Sequence, residues 1–365
     1  MAEPVLADRD FPPFPRATRD GYAIGAADLK QDGSTELQVV GQVKAGDSYD
    51  LPISSGEAVE IMTGASVPKG ADAVVMVEFT EPHGDTVEIK RAVSAGENIV
   101  PAGAEAKAGQ ELLGRGIRLG PAQIAMAAAG GAARVKVFAR PRVAILSTGD
   151  ELVDLAEKPG PTQIRNSNSY SLAALVVANG GEPVQLPIAR DEEGRLTELV
   201  QEGLKADLLL LSGGVSMGKF DLVEIVLKKL GAEFFFTGAR IQPGKPVVFG
   251  AAGEKPFFGL PGNPVSVMVT FDLFARPLVE ALAGAEPSRL KSAKARLKNE
   301  FKTKTGLTRF LPALLVGELD DPQVEIVPWQ GSGDMLAAAR ANCYLVVPPD
   351  RESLPEGEMV TIVLR

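Results

Sequence analysis

Hydrophobic and polar residues follow two different patterns along the chain. Between residues 142 and 282, short apolar runs alternate with segments in which apolar residues recur every three or four positions. The runs are typical of parallel strands covered on both faces, and the longer segments are typical of helices packed on a sheet. We therefore predict strands at 143–146, 183–188, 207–211, 234–236, 246–249 and 255–258. We predict helices at 169–178, 193–205, 222–230 and 266–282.

This alternation predicts βαβ units and a doubly wound, mostly parallel α/β domain in the middle of the chain. On either side the apolar period shortens to two, which favours β structure. Short strands are predicted within residues 17–100, at 37–43, 58–62, 73–77 and 86–89. Residues 286–365 are predicted to form a second, C-terminal β domain.

The start of the chain is too rich in proline for a helix, with the run Phe11-Pro12-Pro13-Phe14-Pro15. Such a run predicts an extended linker. An alanine-rich helix near 120–130 and a strand at 133–138 are predicted to complete it. The predicted domains are a linker domain (1–16 and 101–140), a small β domain inserted in it (17–100), the α/β domain (141–285) and the C-terminal β domain (286–365).

Composition excludes several kinds of site and partner. The formal net charge is −9 and no long basic tract occurs, so no nucleic-acid partner is expected. One cysteine, Cys343, and one histidine, His83, leave no internal disulfide and no zinc site, which fits a reducing cytoplasm. His83 lies in a turn-like segment and is expected at the surface. No segment is long and apolar enough to span a membrane, so no membrane partner is expected.

The most informative segment follows the strand at 207–211. Ser212, Gly213, Gly214 and Ser216 form a short polar loop, and Asp221 precedes a predicted helix. Glycines allow backbone N–H groups to approach an anion, and open α/β sheets bind ligands at such strand ends. A carboxylate facing a phosphate requires a cation between them, and an oxygen-liganded Mg²⁺ suits this chain best. The alternative is that the glycine pair only connects a strand to a helix.

Two further polar loops follow strands of the same predicted sheet. One is Ser147-Thr148-Gly149-Asp150-Glu151, and the other is Gly259-Leu260-Pro261-Gly262-Asn263-Pro264. Because parallel strands end at the same edge of a sheet, three such loops outline one crevice. The sequence therefore predicts a ligand site there.

Seven blocks of the chain, in order, resemble those of the molybdopterin molybdenumtransferases, the MoeA family, which includes the gephyrin E domain. A single block has low specificity, whereas the ordered set is highly specific, and it covers the chain from residue 11 to the C-terminus. The blocks are Arg19-Asp20-Gly21-Tyr22-Ala23, Ile61-Met62-Thr63-Gly64-Ala65, Gly96-Glu97-Asn98-Ile99, Ser147-Thr148-Gly149-Asp150-Glu151-Leu152, Ser212-Gly213-Gly214-Val215-Ser216-Met217-Gly218, Pro243-Gly244-Lys245-Pro246 and Gly259-Leu260-Pro261-Gly262-Asn263-Pro264-Val265-Ser266.

The resemblance implies an enzyme of molybdenum cofactor biosynthesis that inserts molybdate into adenylylated molybdopterin and releases AMP in a Mg²⁺-dependent step. It also implies an elongated homodimer of four-domain subunits, with a C-terminal β-barrel-like domain. The α/β domain is expected to resemble the molybdopterin-adenylyltransferase fold. The cleft is expected between the α/β domain of one subunit and the β domain of the other, and a molybdopterin adenylyltransferase is an expected partner.

The resemblance also assigns roles to individual residues of this chain. Catalytic roles fall on Asp20, Glu151, Asp191 and Asp221, and the last three are the expected metal ligands. Molybdate is expected near Lys245, Arg309 and Ser332. The remaining substrate-binding positions are Thr63, Ser212, Gly213, Gly214, Ser216, Pro261, Gly262, Asn263 and Pro264. The alternatives are that Glu151 and Asp191 are solvated loop acids, that Asp20 is a turn residue and that Lys245 is an ordinary exposed lysine.

The chain departs from the family pattern at several positions. Gln242 stands where relatives often carry a second lysine, which reduces the positive charge at the anion site. Glu105 replaces a usual aspartate, and Val100 replaces an arginine of some relatives. Relatives also begin with some tens of helical residues before the linker strand. One interpretation is a truncated form with weakened folding, weakened dimerisation or both.

Two other functions are compatible with the same pattern. The first is a molybdopterin adenylyltransferase that uses the α/β domain alone, although the flanking β modules argue against it. The second is a non-catalytic scaffold, although the intact acidic set and Lys245 argue against that.

Overall fold

The computed structural model describes residues 1–30, 33–47, 49–214 and 222–365. The chain forms two compact units, Met1–Val137 and Phe138–Arg365. No helix in these described ranges is long and apolar enough to cross a membrane.

The first unit contains a six-stranded sheet with its own apolar core. One pair, Thr35–Val43 with Glu57–Ile61, is parallel, and the other pairs are antiparallel. Gly21 is required where this sheet begins, because a Cβ there would overlap the Val75 carbonyl oxygen. The strand order is Ala73–Met76, Gly21–Ile24, Glu57–Ile61, Thr35–Val43, Thr86–Ile89 and Thr80–His83, with short 3₁₀ turns at Ala26–Asp28 and Val77–Phe79.

The remainder of the first unit lies outside this sheet. Its small core contains Met1, Val5, Leu113 and Ala127. The strand predicted at 133–138 is wrong: these residues form no strand, although the Ala2 N–H donates a backbone hydrogen bond to the Lys136 carbonyl oxygen. The residue pattern of this segment predicted an extended backbone, but no strand in the described part of the chain pairs with the segment. The elements are Val5–Leu6 paired with Glu111–Leu113, Arg16–Ala17 paired with Ile99–Val100, and the helix Pro121–Ala129.

The second unit begins with the predicted α/β sheet. Four neighbouring strands are parallel, and two antiparallel strands complete one edge. Along Leu208–Ser212, Leu209 and Leu211 face one buried cluster, whereas Leu208 and Leu210 face the other. Burial on both faces explains the unbroken leucine run. The strand order is Glu182–Gln185, Arg142–Ser147, Leu208–Ser212, Lys255–Leu260, Val248–Ala252 and Ala232–Phe236.

Helices cover both faces of this sheet. Glu193–Gly203 and Leu222–Lys229 pack on one face, and Ser167–Ala178 packs on the other. The single helix predicted at 266–282 is instead Pro264–Thr270, a π-helical turn Phe271–Ala275 and Arg276–Leu282. Pro277 lacks the N–H that an α-helix would pair with the carbonyl of residue 273, which explains the change of winding. The strand predicted at 246–249 lies at Val248–Ala252.

The C-terminal part of the second unit is a closed β-barrel. Thr308–Gly317 pairs with both Pro322–Ile326 and Cys343–Val347, so the sheet returns to its first strand. Ile241–Gln242, from the α/β part of the chain, adds to the same strand in parallel. The predicted fold class is thus confirmed, although the period-two pattern missed the helix Met335–Arg340. The other strands of the barrel are Ser292–Leu297 and Met359–Leu364. Two short strand pairs lie outside the barrel: Phe301–Lys302 pairs with Ser353–Leu354, and Leu152–Val153 pairs with Ile164–Arg165.

Candidate active site

A cavity of about 680 Å³ lies in the second unit at the carboxyl ends of three parallel strands. These strands are Arg142–Ser147, Leu208–Ser212 and Lys255–Leu260, and the loops that follow them are those predicted to outline a crevice. The predicted site residues that line it are Glu151, Asp191, Ser212, Gly213, Gly214, Pro261, Gly262, Asn263 and Pro264.

The Ser-Gly-Gly loop packs tightly against Thr148. Gly213 and Gly214 have φ angles of +88° and +62°, in the left-handed region that favours glycine. A Cβ on Gly213 would lie 2.6 Å from the Thr148 carbonyl oxygen, and a Cβ on Gly214 would lie 2.6 Å from Thr148 Oγ1. Any larger residue would force either this loop or Thr148 to shift. Two other predicted residues of the segment, Ser216 and Asp221, lie outside the described residues.

Asn168 joins two of the three loops. Its side-chain Nδ2 donates to Ser212 Oγ at 2.9 Å and to the Gly262 carbonyl oxygen at 2.7 Å. Asn168 lies in the first turn of the helix Ser167–Ala178, where Asn166 accepts a hydrogen bond from the Ser169 N–H. The helix start therefore fixes the relative positions of the two loops.

Two carboxylates that line the cavity, Glu151 and Asp191, lie near a third, Asp150. The Asp191 N–H donates to Asp150 Oδ1 at 3.1 Å. Partial burial, followed by the charges of Asp150 and Glu151, raises the pKa of Asp191 above its ordinary value. A bound cation would relieve this repulsion, so Glu151 and Asp191 have the charge and oxygen chemistry that Mg²⁺ requires.

Asp150, Glu151 and Asp191 do not, however, form a group of three whose ligand atoms all lie within 4.8 Å of one another in the described ranges. There, the three metal-ligand candidates with ligand atoms within 4.8 Å of one another are Glu81, His83 and Glu88, in the first unit. His83 is exposed, as predicted, but it is the last residue of the strand Thr80–His83 and not part of the turn that follows. Any metal at the cavity would need ligands beyond Glu151 and Asp191.

The loop after Lys255–Leu260 is tied to the C-terminal part of the unit. Asn263 Nδ2 donates to Ser332 Oγ at 2.8 Å, and the Val265 N–H donates to the Ser332 carbonyl oxygen at 3.0 Å. Gly333 and Met335, just beyond Ser332, line the cavity. Ser332 itself is not in the lining, but it positions a wall of the cavity.

The predicted cationic residues lie outside the cavity lining. Lys245 is exposed on a turn in which a Cβ on Gly244 would overlap the Thr270 side chain. Arg309 donates to the Lys304 carbonyl oxygen at 3.0 Å, and its buried Nε has no hydrogen-bond partner in the described part of the chain. Gln242 is the Cα partner of Arg309 in the parallel pair. A lysine at position 242 would therefore lie beside Arg309.

Asp20 and Thr63, also predicted site residues, lie in the first unit and contact each other. Asp20 Oδ1 accepts hydrogen bonds from the Thr63 N–H at 2.6 Å and from its hydroxyl at 2.8 Å. These bonds lower the pKa of Asp20, so the carboxylate is ionised and oriented at neutral pH.

Comparison with known proteins gives the family. Family models match as the MoeA N-terminal region (domain I and II) over residues 1–131, a probable molybdopterin binding domain over 144–281 and the MoeA C-terminal region (domain IV) over 294–364. A molybdopterin molybdenumtransferase of Bacillus subtilis (strain 168) is 33% identical over 372 residues, which cover 100% of this chain and 86% of that protein. The chain belongs to the MoeA family.

Other MoeA relatives agree with this result. A molybdopterin molybdenumtransferase of Nostoc sp. (strain PCC 7120 / SAG 25.82 / UTEX 2576) is 35% identical over 374 residues, covering 100% of this chain and 85% of that protein. A crystal structure of the molybdopterin biosynthesis moeA protein from Pyrococcus horikoshii OT3 superposes with a TM-score of 0.79 at 31% identity, covering 100% and 90% of the two chains. The resemblance inferred from the seven blocks is confirmed.

The sequence analysis of this MoeA chain missed one wall of the cavity. Arg165, Asn166, Ser167 and Asn168 all line it, and Arg165 adds a cation. The available signal was an Asn-Ser-Asn sequence directly before an apolar helical segment, which is a helix-start pattern. Such a pattern predicts a cap, but it does not reveal that Asn168 reaches loops 44 and 94 residues away.

Proposed function

We propose that this protein inserts molybdate into adenylylated molybdopterin in a Mg²⁺-dependent step that releases AMP. The observation that carries the proposal is the cavity at the strand ends, where two glycine-containing loops and the acids Glu151 and Asp191 come together. Full-length similarity to proteins named molybdopterin molybdenumtransferase supports the same reaction.

The geometry suits a reaction that depends on positioning and charge. The loops at Ser212 and Gly262 are held at a fixed separation by Asn168, which favours a rigid substrate. Glu151 and Asp191, with Asp221, would hold Mg²⁺, which when bound neutralises the pyrophosphate of the substrate. Lys245, Arg309 and Ser332 would bind molybdate, a tetrahedral dianion that requires fixed donors and positive charge. No protein nucleophile is needed: water attacks the phosphoanhydride and its oxygen forms the new P–O bond as AMP leaves, while the two thiol groups of the pterin replace one oxo group of molybdate, which departs as water.

The assembly is part of the same proposal. We infer a cytoplasmic homodimer that receives its adenylylated substrate from a molybdopterin adenylyltransferase. The family membership of the whole chain supports this proposal. Light scattering at micromolar concentration tests it, and a monomer with full activity would contradict it.

An AMP-release assay tests the reaction. Purified protein, adenylylated molybdopterin, molybdate and Mg²⁺ are combined, and each component is omitted in turn. AMP is expected when all four are present. ATP consumption with molybdopterin alone would favour the adenylyltransferase function, and failure to bind adenylylated molybdopterin would favour a scaffold.

A further inference from the structure

Arg165 lines the cavity from a short strand whose backbone is held on both sides of this residue. The Ile164 N–H donates to the Glu151 carbonyl oxygen at 2.8 Å. The Asn166 N–H donates to the Val153 carbonyl oxygen at 2.9 Å. Main-chain hydrogen bonds therefore fix the position of Arg165 beside the acidic loop.

The exposed Arg165 guanidinium has two nitrogens that no described residue uses. Its Nε donates to the Leu155 carbonyl oxygen at 3.2 Å, which orients the side chain. Nη1 and Nη2 have no hydrogen-bond or ion-pair partner in the part of the chain that the structure describes. Asp154, which follows the strand partner of Arg165, instead accepts a hydrogen bond from the Tyr170 hydroxyl at 3.3 Å. The two terminal nitrogens are thus accessible to a ligand.

The charges around the cavity give Arg165 a specific place. Among the described residues that line the cavity, Arg165 carries the one positive charge, and Glu151 and Asp191 carry negative charges. An anionic ligand is repelled by the two acids and attracted by the guanidinium. Arg165 is therefore the described side chain of the lining that can offset the repulsion.

The chemistry of the guanidinium limits the ligand group. A guanidinium only donates hydrogen bonds and stays charged at any physiological pH, so its partner must be an acceptor. Its planar fork of N–H groups matches two oxygens of one phosphate group. The matching ligand group is a tetrahedral oxyanion.

We propose that Arg165 binds the pyrophosphate of adenylylated molybdopterin through Nη1 and Nη2. This inference rests on the proposed function, in which the oxyanions are the pyrophosphate and molybdate. The acids expected to hold Mg²⁺ on the pyrophosphate line the same cavity as Arg165. The residues expected to bind molybdate, Lys245, Arg309 and Ser332, are not part of that lining. The pyrophosphate is therefore the anion that Arg165 meets.

Two substitutions of Arg165 separate charge from structure. Arg165→Gln is expected to raise KM for adenylylated molybdopterin about tenfold, and by more than kcat falls, because a charge-assisted contact is lost. Arg165→Lys keeps the charge without the fork and is expected to raise KM only about threefold. Both variants lose the Nε bond to Leu155. Equal KM increases with equal decreases in melting temperature would therefore indicate a structural role and overturn the contact.

Arg195→Gln is the matched control for the loss of one charge. Arg195 is an exposed arginine on the helix Glu193–Gly203, where it pairs with Glu198. Its substitution is expected to leave KM at the wild-type value. An increase in KM equal to that of Arg165→Gln would assign the effect to net charge alone and would overturn the contact.

Equilibrium binding identifies the anion without any turnover. Inorganic pyrophosphate is expected to bind Arg165→Gln about tenfold more weakly than it binds the wild type. Adenosine, which has no phosphate, is expected to bind the two proteins with affinities within about twofold of each other. Added salt is expected to weaken pyrophosphate binding more in the wild type, because exposed charges are screened. The half-saturating molybdate concentration in the AMP-release assay is expected to be unchanged.

Three binding results would overturn the assignment. They are no measurable pyrophosphate binding to the wild type, equal pyrophosphate affinity of the wild type and Arg165→Gln, and an increased molybdate requirement with an unchanged KM, which would make molybdate the anion at Arg165. The proposed reaction is tested separately. If Arg165→Gln loses pyrophosphate affinity but the wild type releases no AMP, the reaction is wrong and the contact stands. If AMP is released with an unchanged KM in Arg165→Gln, the reaction stands and the contact is wrong.

Discussion

Asp20 Oδ1 accepts two hydrogen bonds from Thr63, one from its backbone N–H and one from its hydroxyl, so a single residue holds this carboxylate oxygen. Both residues were assigned to the site by family resemblance, and they lie 43 positions apart in the chain. The contact gives the assigned acid a fixed orientation.

Thr63→Val is expected to lower AMP release because it removes one of the two bonds while the N–H bond remains. Loss of a hydrogen bond to a carboxylate at a solvent-exposed position predicts a decrease of about threefold to tenfold in kcat/KM. The pKa of Asp20 is expected to rise, which NMR titration of its side-chain carboxyl can measure. Thr80→Val is the matched control, since the Thr80 hydroxyl donates to the Val77 carbonyl oxygen and not to a predicted site residue. Equal losses in both variants would assign the effect to stability.

Gln242→Lys is expected to tighten molybdate binding, so that less molybdate is needed for half-maximal AMP release. The new ammonium would lie beside Arg309, its partner in the strand pair, and would restore positive charge at the predicted anion site. A charge-assisted hydrogen bond predicts a decrease of about tenfold in the half-saturating molybdate concentration. Gln201→Lys adds the same charge on an exposed helix surface and is expected to have no such effect. An unchanged molybdate dependence in Gln242→Lys would mean that the anion binds elsewhere.

Lys245→Ala is expected to act in the opposite direction. If the exposed ammonium binds molybdate, its loss raises the half-saturating molybdate concentration about tenfold to a hundredfold, with a smaller effect on pterin binding. Lys205→Ala, at an exposed helix end, controls for the loss of one charge. AMP release measured against molybdate at saturating Mg²⁺ gives both values. No shift in the variant would remove Lys245 from the anion site.

Asp191→Asn is expected to raise the Mg²⁺ concentration required for activity. Partial burial, followed by the charges of Asp150 and Glu151, raises the pKa of Asp191, and a cation would be attracted to this group of charges. In the wild type, Mg²⁺ is expected to raise the melting temperature and EDTA to reverse the effect. Glu157→Gln, an exposed acid in the same part of the chain, is the control. Identical Mg²⁺ curves for wild type and Asp191→Asn would exclude Asp191 as a ligand.

Asp272 provides a prediction about stability. Burial raises the pKa of this carboxyl from 3.8 to about 6, and the charges of Arg365 and Arg276 only partly oppose the shift. The folded state therefore binds the proton more tightly than the unfolded state does. The stability from this group is complete below about pH 4 and is lost as the pH rises to about 6.

Asp272→Asn has no such titration and is expected to flatten the decrease in melting temperature between pH 4 and about pH 6. Asp320→Asn, at an exposed position, is expected to keep the wild-type slope. Parallel curves for wild type and Asp272→Asn would show that Asp272 does not titrate in this window.

The elements that follow from local pattern were predicted well. The leucine run at 208–211 required burial on both sides, and the sheet supplies it. The π-helical turn depends on proline chemistry, and the shifted strand at Val248–Ala252 depends on its pairing with the strands on both sides; apolar periodicity records neither.

Site residues could be predicted only where they follow a predicted strand or match a family motif. Glycine loops and acids could be placed at one sheet edge, because parallel strands end together. The role of Asn168 could not be predicted, because it arises from side-chain contacts between segments that are distant in the sequence. The tie between Asn263 and Ser332 is of the same kind, spanning 69 positions.

The most direct test of the proposed reaction is the ratio of molybdenum gained to AMP released. Purified protein is incubated with adenylylated molybdopterin, Mg²⁺ and molybdate, the small molecules are separated, and both quantities are measured from the same sample. The proposal predicts one molybdenum bound to the pterin for each AMP, with neither product when molybdate is omitted. Release of AMP without molybdenum incorporation, at saturating molybdate, would contradict it.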